Sequence, residues 1–253
     1  MVIGADGVHS FVARAVRAVE YDVRPLAACG YYSYFSGLRQ DDIELYVRDH
    51  HAFGGAPTND GLHLVMVNWP ARDFLSVRAD IEGHVWRALE SAPEFAARVR
   101  AGRREAKWYG AAGVPGYFRK PYGNGWALVG DASYNRDPIT AQGMSDAFID
   151  AELLVTALST AWSGSRTLED GLAAHEAARN ERVRPMYEFT TQLAKLEPPP
   201  PDMRALFGAL HGNQDATNAF LSAITGAIPL PDFMSDENVG RIMAAANGGE
   251  FHR

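Results

Sequence analysis

The stretch 125–150, GWALVGDASYNRDPITAQGMSDAFID, holds residue types suited to binding a hydroxylated or charged ligand. Trp126, Ala127, Leu128 and Val129 form a short apolar run of strand length. It ends in Gly130 and Asp131. Glycine lets another group approach the backbone closely. An aspartate at the carboxyl end of a parallel strand lies where open α/β sheets bind ligands, and its carboxylate accepts hydrogen bonds from hydroxyl groups. Pro138 stiffens the loop that follows. A helix starts near Gly143, and the free N–H groups of its first turn favour negative charge.

These groups need elements to position them. Val2 and Ile3 read as the end of a buried strand, followed by the turn Gly4-Ala5-Asp6-Gly7 and a helix from about Ser10. Phe11, Val12, Ala15, Val16 and Val19 fit the helical period. A strand of this kind belongs in a parallel sheet, whose partner is reached by a crossover. Strands are expected at 28–38, 43–47 and 62–69, the last after the turn residues Pro57-Thr58-Asn59-Asp60-Gly61. They read as an antiparallel sheet. A helix is expected over 80–100 and a Gly- and Pro-rich connection over 110–125. Helices follow at 143–159, 168–196 with a bend at Pro185, 202–210 and 215–225, and 247–253 is expected to fray. Pro198 to Pro201 make a stiff spacer.

With the two turns in view, the chain resembles the flavoprotein monooxygenases typified by para-hydroxybenzoate hydroxylase. Gly130, Asp131, Ala132, Pro138, Gly143, Asp146 and Ala147 fall on that family's second FAD motif. The run Gly4-Ala5-Asp6-Gly7-Val8-His9-Ser10 falls on its Asp-Gly motif. The resemblance spans 1–196 and implies an α/β (α+β mixed) chain: the C-terminal part of a Rossmann-like FAD-binding fold with an inserted antiparallel substrate sheet and a helical tail. It implies four regions: 1–25 and 111–165 as FAD-binding portions, 26–110 as substrate sheet, and 166–253 as helical region. By the same resemblance Asp131 holds the ribityl chain, and Ala141, Gln142, Gly143 and Met144 face the flavin ring. Reduced flavin carries negative charge, which a helix N-terminus stabilises. Asp6 and Gly7 lie near the FAD pyrophosphate and, indirectly, the nicotinamide cofactor. The implied activity is an FAD-dependent monooxygenase that uses NAD(P)H and O2 on a small organic substrate, with an aromatic one as an option. The cofactor carries the chemistry, so no catalytic residue is assigned.

Two departures matter. The histidine that often follows the Gly-Asp pair is Tyr134 here. The opening Gly-x-Gly-x-x-Gly, which binds the ADP half of FAD, has no counterpart. The resemblance therefore implies that roughly 150 residues of a family member are missing from this sequence. The alternative expectation is a non-catalytic fragment or partner subunit that binds FAD only with a separate Gly-x-Gly-x-x-Gly polypeptide; a homodimer is the other partner option. Relatives with this motif pair include reductases and halogenases, so the substrate class stays open.

For the substrate, Tyr32, Tyr34 and His63 are the candidates. Tyr31, Tyr32, Tyr34 and Phe35 lie on one strand, and alternate members face opposite sides. One pair is available to line a pocket; core packing is the other reading. His50, His51 and His63 fit no standard metal spacing, so no metal is expected. The serines lie outside any Gly-x-Ser-x-Gly elbow. A net charge of -7 argues against nucleic acid. The single cysteine, Cys29, rules out an internal disulfide framework. The run MVIGADGVHS has no signal-peptide pattern, and the longest late apolar stretch is too short to span a bilayer. A soluble cytoplasmic protein is expected.

Overall fold

A computed structural model describes residues 1–248. They form two compact units: one made of Met1–Val23, Tyr117–Thr190 and the chain from Pro199 onward, the other of Arg24–Gly116 and Thr191–Pro198. The mixed α/β class expected from the sequence is what the chain adopts.

In the first unit the strand Val2–Gly4 pairs parallel with Trp126–Leu128, in the register Val2↔Trp126, Ile3↔Ala127, Gly4↔Leu128. The expected parallel partner is thus the strand that leads into Gly130-Asp131. Tyr122–Gly123 pairs antiparallel on its other side. Alternation then divides the second strand between two layers. Leu128 packs with Val12 and Ala13 of the helix Phe11–Ala15. Ala127 and Val129 pack with Leu154 and Leu158 of the helix Gly143–Trp162. Gly4 is required where strand and first helix meet: a Cβ there would lie 2.7 Å from Leu128 Cδ2 and 2.8 Å from Val12 Cβ.

A long helix, Leu168–Leu193, contains Pro185. Its buried stripe runs Leu172, His175, Arg179, Val183, Met186, Thr190, so two strongly polar side chains occupy core positions. The helices Pro201–Leu210, Gln214–Ile224, Leu230–Phe233 and Asp236–Gly248 gather around Met186, Leu206, Phe233 and Ile242. The frayed end expected over 247–253 falls largely outside the described residues.

The second unit is an antiparallel sheet in the order Glu44–Arg48, His51–Pro57, Leu62–Pro70, Ala28–Ser36, Arg103–Arg104, with Tyr109–Ala111 also pairing to Ala28–Ser36. One sheet face carries Phe35, Phe53, Val65 and Val67, which pack against Val85, Leu89, Phe95 and Val99. The sheet contains three strands beyond those expected, His51–Pro57, Arg103–Arg104 and Tyr109–Ala111, the last at the start of the stretch expected to be a connection. The single helix expected over 80–100 is two, Ile81–Leu89 and Pro93–Ala101. Pro93 sits at the start of the second, where its missing N–H costs nothing.

Candidate functional site

Gly130–Ala132 forms a single 3-10 turn directly after the strand. Gly130 has φ 59, and a Cβ there would lie 3.1 Å from Ala147 Cβ. Glycine therefore answers both the left-handed backbone and the close helix. Ala132 is buried beneath the turn, packed with Ala13 and Leu128. The Asp131 side chain has no hydrogen bond or ion pair among the described residues. Loss of solvent alone pushes its carboxyl above the ordinary value. A carboxylate that is partly desolvated yet unpartnered is a group poised for an external donor.

The turn is held from behind by Asp150. Its Oδ2 accepts from the Gly130 N–H at 2.8 Å and from the Ser133 hydroxyl at 2.9 Å. Its Oδ1 lies 2.7 Å from His175 Nε2. All three side chains are buried. Buried Arg179 adds donors to the Ser133 carbonyl and to the Tyr21 hydroxyl. From the side, the Tyr117 hydroxyl lies 2.7 Å from the Asp131 carbonyl.

The loop between turn and helix is rigid for identifiable reasons. Tyr134 packs its ring on Phe118, with centroids 4.8 Å apart. Arg136 is buried, donates to Gln142 Oε1 at 2.6 Å and forms an ion pair with Asp146 Oδ2 at 2.8 Å. Pro138–Thr140 is a 3-10 turn capped by Asp137, whose carboxylate accepts from the Ile139 N–H. Thr140 bonds Thr190 of the long helix. Ala141 has φ 53, a left-handed conformation that a non-glycine residue adopts at a cost. It leads into a helix whose cap residue, Gln142, makes no side-chain cap bond. The first N–H groups of that helix are therefore open.

Of the residues picked from the sequence, Ala141, Gly143 and Met144 are exposed at this helix start. Gln142 turns its side chain inward, to Arg136 and to the Ile224 carbonyl. Asp6 is occupied by its own chain. One oxygen takes the Ser10 hydroxyl at 2.5 Å, and the other takes the Phe11 and Val12 N–H groups at 2.6 and 3.1 Å. These bonds, that to Ser10 foremost, hold its carboxyl below the ordinary value. Gly7 has φ 78 and open space where a Cβ would stand.

Asp6→Ala should cost about 1 kcal/mol, the usual worth of a helix cap. The folded pKa is depressed, so this contribution is present at neutral pH and fades as pH falls through it, below 3.8. Thermal melts of variant and wild type should differ at neutral pH and converge in acid.

The substrate candidates divide. Tyr32 and Tyr34 lie on the sheet face opposite the helices, with ring centroids 6.0 Å apart, and Tyr109 stacks on Tyr32 at 5.5 Å. His63 pairs in register with Phe35, so it points to the helix-covered face, where its Nε2 bonds the Gln40 carbonyl at 2.9 Å. The three do not form one surface.

Asp150, His175, Tyr117 and Arg136 were not singled out from the sequence. Asp146 was taken as the helix aspartate of the motif. In the structure Asp150 holds the turn, and Asp146 pairs with Arg136. A signal existed: Asp150, Leu154, Ala157 and Leu158 share one buried stripe, and a lone acid in such a stripe has to be paired.

No protein-family model matches the sequence, and no curated protein does. Solved structures do. Pseudomonas aeruginosa PqsL, a probable FAD-dependent monooxygenase, aligns in its complex with 2-aminobenzoylacetate at 27% identity and a TM-score of 0.63, over 77% of this chain and 55% of that one. The chain shares the FAD-binding fold of flavin-dependent monooxygenases and halogenases. A flavoprotein/dehydrogenase from Cytophaga hutchinsonii aligns at TM-score 0.74 and 15% identity, over 99% of this chain and 62% of that one. The myxobacterial halogenase CndH aligns at 0.66 and 19%, over 98% and 61%. These last two speak for the FAD-binding fold alone. The chain spans roughly half to two thirds of the length of the structures it matches. Among the described residues, no helix is long and apolar enough to cross a membrane.

Proposed function

We propose that this chain forms the ribityl- and ring-binding portion of an FAD-dependent oxidoreductase, a monooxygenase using NAD(P)H and O2 on a small aromatic substrate. The observation that carries the reading is the unpartnered, only partly desolvated Asp131 carboxylate at the end of the parallel strand. FAD fits the donor set: a carboxylate for a ribityl hydroxyl, and open N–H groups at Gly143 and Met144 for an electron-rich ring edge. Carrying electrons from NAD(P)H and activating dioxygen are the chemistry such a cofactor supplies. Asp131 accepts the hydroxyl hydrogen and fixes the ligand's position. Gly130, Ala132 and Pro138 shape the turn and loop, and Gln142 braces the helix start. Asp6 and Gly7 shape the other turn, on the pyrophosphate side. Residues 1–25 and 111–165 would make up the cofactor portion, 26–110 the substrate sheet and 166–253 the helical region. Tyr32 and Tyr34, with Tyr109 stacked beside them, favour a planar ring on the open sheet face. The 2-aminobenzoylacetate held by PqsL supports that class.

The test is an absorbance titration of the purified chain with FAD. A perturbed flavin spectrum is expected. In Asp131→Ala, affinity should fall roughly ten- to a hundredfold, the worth of one hydrogen bond to a charged group. Binding uses the ionised carboxylate, so wild-type affinity should drop as pH falls through the raised pKa of Asp131. An unchanged flavin spectrum with folded, soluble chain overturns the reading.

A second reading is favoured by exposed apolar surface. Met144, Phe148, Val155 and Trp162 follow one stripe of the helix Gly143–Trp162 and are 80%, 78%, 61% and 73% exposed. Val2 and Ile3 are also exposed, on a strand paired on one side. Such a surface suits a polypeptide partner. In this reading the chain is a partner subunit, and FAD binds only when a separate Gly-x-Gly-x-x-Gly polypeptide is added. A second copy of the chain is the other occupant, and sedimentation distinguishes it.

A further inference from the structure

The turns Gly4–Ser10 and Gly130–Ala132 follow two strands that are paired in parallel. Beyond the Val129 N–H bond to the Gly4 carbonyl, the two backbones part. Among the described residues, no backbone hydrogen bond joins 5–10 to 130–133. One side chain bridges them. The Tyr117 hydroxyl lies 2.7 Å from the Asp131 carbonyl and 3.3 Å from the Val8 carbonyl. One phenolic hydrogen thus serves a carbonyl in each turn. Tyr117 is 2% exposed, so water does not compete. Burial pushes its phenol up to about 12, which keeps the hydrogen in place at neutral pH. Arg119 covers the ring at 4.2 Å and bonds the Ala132 carbonyl at 3.1 Å, so the phenol is fixed from above as well.

We propose that Tyr117 is a positioning residue that locks the spacing of the two turns, so that they grip one extended ligand as a unit. This rests on the flavin reading above. A ligand reaching both turns depends on the lock; one reaching only the Asp131 turn does not. FAD and riboflavin are such a pair, since riboflavin ends at the ribityl chain.

Both flavins are titrated into the full chain and into Tyr117→Phe, which keeps the ring and removes the hydroxyl. The variant should bind FAD about fivefold to tenfold more weakly, with riboflavin affinity changed less than about twofold. Equal weakening of both, or of neither, overturns the positioning role while the flavin reading stands. If the wild-type chain binds neither flavin, both ideas fall together. A second measurement needs no variant. FAD, which reaches both turns, should slow amide hydrogen exchange in 5–10 as well as in 130–133. Slowing confined to 130–133 overturns the proposal.

Discussion

Asp150→Ala should lower the unfolding free energy by about 3–5 kcal/mol, much of the total for an ordinary domain. The carboxylate gathers three buried donors: the Gly130 N–H, the Ser133 hydroxyl and His175 Nε2. Alanine has no acceptor: the Gly130 N–H and His175 Nε2 lose theirs, while the Ser133 hydroxyl keeps the Gly130 carbonyl at 3.1 Å. Each orphaned buried donor costs about 1–3 kcal/mol, reduced where the chain relaxes. Asp150→Asn is the informative companion. It keeps the size and one acceptor oxygen, but it turns an NH2 toward groups that are themselves donors. Its loss should be smaller, about 1–3 kcal/mol. Urea unfolding gives both numbers from the shift in midpoint at constant slope. A loss under about 1 kcal/mol for the alanine variant would mean that the network is incidental. The Gly130 turn should also loosen in the variant, so flavin affinity should fall although Asp131 is intact.

The parts of this fold that were legible in the sequence are those written locally. The run Trp126–Leu128 into Gly130-Asp131, and Val2 into its Asp-Gly turn, carry their structure in adjacent residues. That each belongs to a parallel sheet followed from strand type; that the two pair with each other was not read from the sequence. Where the decisive contact is distant, the sequence was silent. The strand His51–Pro57 carries Gly54 and Gly55, which read as loop residues. Yet a Cβ at Gly54 would lie 2.2 Å from the Glu44 carbonyl oxygen, so the glycine is there to let strands close. Tyr32 and Tyr34 were placed on one side by alternation alone. Adding His63 required the register between two strands, and a one-residue difference in register reverses a face. Asp150 was missed because its partners come from residues far apart in the chain: Gly130, Ser133 and His175. The buried side of the long helix gave the clue, since His175 and Arg179 fall on the same period as Leu172 and Val183.

Arg136→Ala carries the other large expected effect, again about 3–5 kcal/mol at neutral pH. Arg136 and Asp146 meet at 2.8 Å with side-chain exposures of 5% and 12%. Burial raises the Asp146 carboxyl above 3.8; the charges of Arg136 and then Arg182 hold it down. Without Arg136 the acid stays buried, and its pKa rises further. A folded-state pKa above the unfolded value makes ionisation a cost to the fold. The cost is full above the folded pKa, shrinks as pH falls below it, and is gone below about 3.8, where both states are protonated. The gap between wild type and variant should therefore narrow in acid, the opposite of simple loss of packing, which is independent of pH. Adding Asp146→Asn to the variant removes the stranded charge. Most of the loss at neutral pH should return in that double variant, since breaking a buried pair costs more than removing both charges. If the double variant is no more stable than Arg136→Ala, the arginine stabilises the loop through Gln142 and its stem, and the ion pair is not the source of its effect.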